Sequence, residues 1–249
     1  MKKIVLALAI VALGAVPALA QTAPSAGQAA TDLLPNVDLS TSSKMIQYII
    51  LITALSLAPS LVVMTTSFTR IIVALSFLRS GLGMQTTPAN IVIVSLALIL
   101  TGYVMAPTID QAWTTGIKPF SDGQITQTEA IQKTSEPFRV FMQHNVREKE
   151  LALFQSLANQ AEFGPRASAD DFRILVPAFM VSELRRGFEI GFLIILPFLI
   201  IDIAVATITM SMGMMMLPPT VLSLPFKVMF FVLIDGWSLL VGNLVRSFH

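Results

Sequence analysis

Four stretches of this chain, residues 45–64, 91–106, 189–209 and 221–241, are long, apolar and nearly free of charge. Each approaches the roughly 20 residues that a helix needs to cross the hydrocarbon of a bilayer. That property narrows the fold more than any motif does. A chain with four such runs reads as all-α and membrane-associated, with its long hydrophobic helices in hairpins. Nowhere does apolar–polar alternation last long enough for a sheet. Charge is concentrated elsewhere, since residues 110–189 hold 11 of the 15 acidic and 9 of the 16 basic residues. Only 12% of the chain is charged, against about 25% in an ordinary soluble domain.

The first twenty residues, MKKIVLALAIVALGAVPALA, are built like a secretory signal. Lys2 and Lys3 precede an apolar run over 4–16 that is short for a span, and Ala18-Leu19-Ala20 supplies the small-x-small cleavage site. Cleavage is expected between Ala20 and Gln21, which leaves the new N-terminus outside the cytoplasmic membrane. Loss of the two lysines leaves 14 bases against 15 acids, a net charge of −1. The expected division is a signal peptide at 1–20, a flexible linker at 21–43 and a first hydrophobic helical hairpin at 44–109. A polar helical extracytoplasmic segment follows at 110–186, then a second hydrophobic hairpin with a methionine-rich loop at 187–249. With Gln21 outside, Arg70 and Arg79 lie inside and the polar segment lies outside. Its nine bases do not oppose this, because long loops translocate largely regardless of charge.

Local signals refine the helices. Pro59 is expected to kink the first run, and residues 65–79 read as a helix packed against protein. Pro107 is expected to end the second run. Thr134-Ser135-Glu136-Pro137 looks like a cap followed by an early-helix proline. Ser168-Ala169-Asp170-Asp171 looks like a capping box with Asp in place of Glu. The helix after it is expected to break at Pro177 and then continue into the third run.

No enzymatic constellation is present. The chain has no cysteine, and its two histidines, His144 and His249, stand in no metal-ligand spacing. Gly81-Leu82-Gly83 lacks a phosphate-loop continuation, and no serine sits in a Gly-x-Ser-x-Gly elbow. Glu148 and Glu150 read as a solvated helix face. No enzyme activity, metal or cofactor is expected, and the absence of a basic tract argues against nucleic acid.

Three ionisable residues fall inside the last two apolar runs: Asp202, Lys227 and Asp235. Such residues are expensive in lipid and are paired or functional by default. Asp202 lies 12 residues before Met214 and Lys227 lies 12 after Met215, so a hairpin turning at the methionines brings the two level. Gly187 and Gly191 have the spacing that lets two helices approach closely. Glu183, Arg185, Arg186 and Glu189 form a surface lattice at helical spacing, or bridges between subunits in an oligomer. Met210–Pro219 reads MSMGMMMLPP, with five methionines in ten residues. Gly213 loosens the backbone, while Pro218 and Pro219 stop helical continuation. Methionine is unbranched and polarisable and adapts to differing shapes. Three in succession cannot share one helix face, so the stretch reads as a loop lining something variable.

Residues 182–237, SELRRGFEIGFLIILPFLIIDIAVATITMSMGMMMLPPTVLSLPFKVMFFVLIDGW, resemble the flagellar biosynthetic protein FliP family, as does SFTRIIVALSFLRSGLGMQTTP over 67–88. The resemblance covers most of 45–248. It implies a core pore subunit of the flagellar type III protein export gate, in the bacterial cytoplasmic (inner) membrane within the flagellar basal body. It implies a homo-oligomer of five copies, joined by the Q and R export-gate proteins and other membrane components of flagellar export. Unfolded flagellar subunits would be the cargo. The family's pore gasket matches Met214, Met215 and Met216, with Met210 and Met212 beside them. The family also implies that the apolar runs are covered by protein at or above the outer membrane face. Two rival readings stand beside this one. A small-solute transporter or channel would use Asp202, Lys227 and Asp235, but it would be expected to show internal repeats, and none is visible. A virulence type III secretion export-gate subunit shares the core, but such proteins usually lack the signal peptide and long N-terminal arm.

Overall fold

The computed structural model describes residues 42–84, 88–160, 168–213 and 218–248. The expected signal, its Ala20–Gln21 cleavage site and nearly all of the expected linker lie outside them. The chain divides into two units, Met1–Val63 and Met64–His249. The first holds nearly all of α1 (Ser42–Thr65). Hydroxyls in α1 donate to its own backbone: Thr53 to the Ile49 carbonyl at 2.7 Å, Ser60 to that of Leu57 at 2.7 Å. These hydroxyls are thus satisfied within the helix itself.

The second unit contains α2 (Phe68–Gly81), α3 (Asn90–Ala112), a π-helical turn (Trp113–Ile117) and α4 (Lys118–Ser121). It continues with α5 (Gln127–Asn145), α6 (Glu148–Gln160), α7 (Phe172–Ser211), α8 (Pro219–Leu233) and α9 (Gly236–Arg246). The described residues are helix and turn, with no strand among them. α2 is the central element. It packs most extensively against α7 and also against α3. The core gathers around Ile71, Ala74 and Leu78 of α2, with Ala97, Phe198 and Phe231 from the helices around it. A smaller cluster of Met142, Leu175 and Phe179 joins α5 to the start of α7.

Several expected helix ends are absent. α3 runs through Pro107, with Val104, Met105 and Thr108 buried on either side. α5 starts earlier than expected: Thr126 caps it, accepting from the Glu129 amide at 3.3 Å, and Pro137 lies buried inside it. α7 runs unbroken for 40 residues through Pro177 and Pro197. Its cap is Asp171, which accepts from the Arg173 amide at 2.9 Å, in place of the box expected from Ser168. The common reason is that helix propensity is a weak prior that tertiary packing overrides. Leu175, Ala178 and Phe179 around Pro177 are fully buried, so packing holds the helix across a missing hydrogen bond.

Among the described residues two helical stretches are long and apolar enough to cross a membrane, Asn90–Ser121 and Phe172–Ser211. A third is counted only if α8 and α9 are one span, and they meet at 65°. The expected run at 221–241 is therefore two helices, broken at Asp235. Helix continues across both edges of the expected polar segment, within α3 at 109–110 and within α7 at 186–187.

Candidate functional site

The turn between α7 and α8 is built at both ends by backbone chemistry. α7 stops where the Met212 amide bonds to the Ile208 carbonyl at 3.1 Å and that of Gly213 to Met210 at 3.1 Å. Gly213 has φ 72°, the left-handed conformation that glycine adopts without a Cβ penalty. On the far side Pro218 is extended and Pro219 occupies the first turn of α8, where a missing N–H breaks no helical bond. Met210 and Met212 are exposed at the base of the turn, at 58% and 68%. Met214, Met215 and Met216 lie outside the described residues.

Below the turn, Asp202 of α7 and Lys227 of α8 meet. Lys227 Nζ donates to Asp202 Oδ2 at 2.6 Å and to the Gly81 carbonyl at the end of α2 at 3.0 Å. Ser223 Oγ donates to Asp202 Oδ1 at 2.5 Å. Lys227 is 4% exposed, while the Asp202 side chain keeps 30%. An ammonium that deep is tolerable only with its charge matched and its protons bonded. The cluster thus ties α7, α8 and the end of α2 together. Asp235 takes no part in it. Its side chain is exposed and it sits in the left-handed region at the α8–α9 break, φ 52°.

Gly187 and Gly191 face α2. A Cβ at Gly187 would lie 3.1 Å from Val73, and one at Gly191 would lie 2.5 Å from the Phe77 ring. Within the subunit, this spacing lets α7 approach α2.

Of the expected charge lattice, Arg185 Nε donates to Glu189 Oε1 at 3.0 Å, and Arg147 from the start of α6 reaches the same oxygen at 3.3 Å. Arg186 has no ion pair among the described residues. Glu183 is not a surface residue as expected. It is fully buried and forms a two-bond ion pair with fully buried Arg70 of α2. Arg70 also donates to the Ser247 carbonyl at 2.8 Å, and its guanidinium lies 3.7 Å from the Phe248 ring centroid. The sequence places Arg70 on the inner side of the membrane and gives it no such role. The available signal was a lone cation beside the apolar run IIVALSFL, which needs a partner if the helix is buried.

Between α7 and α8 an open apolar groove of about 620 Å³ is lined by residues including Ile201, Val205, Leu222 and Phe226. No group of three or more His, Cys, Asp or Glu able to hold a metal occurs among the described residues.

Residues 51–244 match the model of the FliP family. The chain is 54% identical over 244 residues to the flagellar biosynthetic protein FliP of Agrobacterium fabrum, covering 96% of this chain and 97% of that protein. It is 59% identical over 215 residues to the protein of the same name from Rhizobium meliloti, covering 85% and 87%. For that of Bacillus subtilis the identity is 44% over 219 residues, covering 87% and 98%.

Proposed function

The chain belongs to the FliP family, a family of non-enzymatic membrane proteins of the flagellar export apparatus, and from that premise we propose that it is a pore-lining subunit of the flagellar protein export gate. Copies of the chain assemble with the Q and R gate proteins and other export components in the cytoplasmic membrane, within the basal body. Unfolded flagellar subunits pass through the shared channel. The methionine turns converge on that channel and close it with soft apolar side chains, which yield around an extended polypeptide of any sequence.

The observation that carries this reading is the construction of the turn. Left-handed Gly213 ends α7, extended Pro218 sets the start of α8 at Pro219, and the buried Lys227 cluster ties the two stems together. A segment meant only to fill a core needs no such mounting. Its methionines bring bulk without branching, which suits a seal that must re-form after each passage.

The test replaces Met214, Met215 and Met216 together by alanine. The complex should assemble, because the stems and the Lys227 cluster are untouched. The closed gate should leak small ions more than any single variant does. Leucine replacements should seal better than alanine and pass cargo more slowly than methionine. Conductance across a membrane holding the closed complex, read beside export of a flagellar subunit, decides the matter. Unchanged leakage in an assembled triple-alanine complex would reject the seal.

A further inference from the structure

The two arginines of α2 are treated differently by the fold. Arg70 has the Glu183 carboxylate. Arg79, in the last turn of α2, forms no ion pair among the described residues. Its Nη1 donates to Asn90 Oδ1, a neutral acceptor on the first residue of α3. No acidic residue stands in the first turn of α3. A helix C-terminus carries about half a negative charge and a helix N-terminus about half a positive one, so the two helix ends beside Arg79 roughly cancel. The guanidinium is therefore half-buried with its charge unmatched.

Arg79 also borders an apolar slot of about 70 Å³. Leu78 of α2, Val92, Ile93 and Leu96 of α3, and Trp237 of α9 are among its walls. Val92 and Trp237 are 53% and 45% exposed, so the slot opens on the protein surface. Its α3 wall descends from Asn90 to Leu96, about 9 Å at the helical rise. Asn90 is also the first residue of a helical stretch long and apolar enough to cross a membrane. The cation thus stands at the end of a span, and the apolar wall runs from it into the span. A helix with its side chains is about 10–12 Å across, which a slot of this volume does not admit. It has room for part of a single hydrocarbon chain.

We propose that Arg79 and the slot between α2, α3 and α9 bind one anionic phospholipid of the surrounding bilayer. The headgroup phosphate lies on the Arg79 guanidinium and the upper part of one acyl chain enters the slot. Charge and apolar surface are disposed as in a lipid, with the head at the end of the span and the tail directed inward. A net anionic headgroup suits the site better than a zwitterionic one, which brings a cation of its own to an unmatched arginine. The site lies apart from the methionine turn, and the inference holds whether or not that turn seals a pore.

Trp237 is a reporter built into the wall. The chain has two tryptophans, so Trp113→Phe leaves Trp237 as the only emitter in the full-length protein. Brominated acyl chains quench an indole that they touch. In vesicles of brominated phosphatidylcholine, unbrominated phosphatidylglycerol should relieve the quenching at a mole fraction about five-fold lower than unbrominated phosphatidylcholine does, the preference that one basic residue gives for an anionic lipid. Arg79→Gln should bring the two curves together. Asn90→Asp should do the same while keeping the arginine and the slot, because it supplies a carboxylate from within the protein. A Trp237→Phe protein, read through Trp113 at the other end of α3, should not respond to either change. Equal relief by the two lipids in the parent would overturn the site. So would a preference that survives Arg79→Gln or Asn90→Asp, or an equal response at Trp113.

Discussion

Single residues carry unequal shares of the charge cluster beneath the turn. Lys227 is nearly sealed from solvent, whereas Asp202 keeps part of its carboxylate in contact with it. Asp202→Asn should therefore be the worse change, leaving a buried ammonium uncompensated at a cost of about 3–5 kcal/mol. Lys227→Met leaves Asp202 bonded to Ser223 and partly solvated, and should cost roughly 1.5–3 kcal/mol, the range for a lost charged hydrogen bond. The double variant should recover part of the sum. Thermal unfolding of the detergent-solubilised protein measures all three, and strict additivity would mean that the two charges are not coupled. The 12-residue symmetry about the methionines made this pair legible in sequence. Asp235 obeyed the same rule for charge in an apolar run and yet stands apart. The sequence registers that a charge is present, but not that the helix bends there and turns it outward. Arg70 and Glu183 were illegible for a related reason: their pairing spans 113 residues, and no local spacing encodes it.

Among elements, the α2–α7 contact sets how closely the unit packs. It depends on two glycines with different tolerances. Gly191→Ala places a methyl within 2.5–2.8 Å of the Phe77 side chain and should destabilise by about 1–3 kcal/mol through overpacking. Gly187→Ala meets Val73 at 3.1 Å and should cost less. Gly102→Ala, in α3 with nothing within 4 Å of the added atom, should stabilise by about 0.5–1 kcal/mol by reducing unfolded-state freedom. Unfolding midpoints should rank Gly102→Ala above the unaltered chain, then Gly187→Ala, then Gly191→Ala; any other order would show that this contact does not limit stability. Helix type was readable because runs this apolar and this long leave few alternatives. Helix ends were less so. Prolines at 107, 137, 177 and 197 all lie inside helices, and around Pro107 and Pro177 the buried neighbours outweigh one absent N–H.

On the scale of the whole molecule, exposed apolar surface dominates the hairpin. Phe192, Leu193 and Ile200 on α7, and Val232 and Leu233 on α8, are all more than half exposed. Patches of this kind mark contact with lipid or with other protein chains, which agrees with a membrane subunit of a larger apparatus. The mass of the complex extracted in mild detergent should exceed one copy by several-fold, with further gate proteins present. A stable monomer would remove the basis for a shared channel. N-terminal sequencing of the same material should begin at Gln21. An intact Met1 would reject signal cleavage and with it the argument that places the N-terminus outside.

The sequence by itself determined that the chain is helical, apolar, non-catalytic and of this family, because those properties rest on composition, run length and an uncommon motif. It also determined where a turn must fall, since Gly213 admits the left-handed conformation that ends a helix and Pro218-Pro219 restrict the backbone wherever they are placed. The tertiary structure alone decided which charges meet, which prolines interrupt nothing and where the last apolar run breaks. Those outcomes depend on what lies across the core from each residue. Burial around Pro177, the Glu183 carboxylate beside Arg70 and the Phe231 ring against Gly236 are contacts between distant parts of the chain, and their energies exceed the local preferences that a sequence displays.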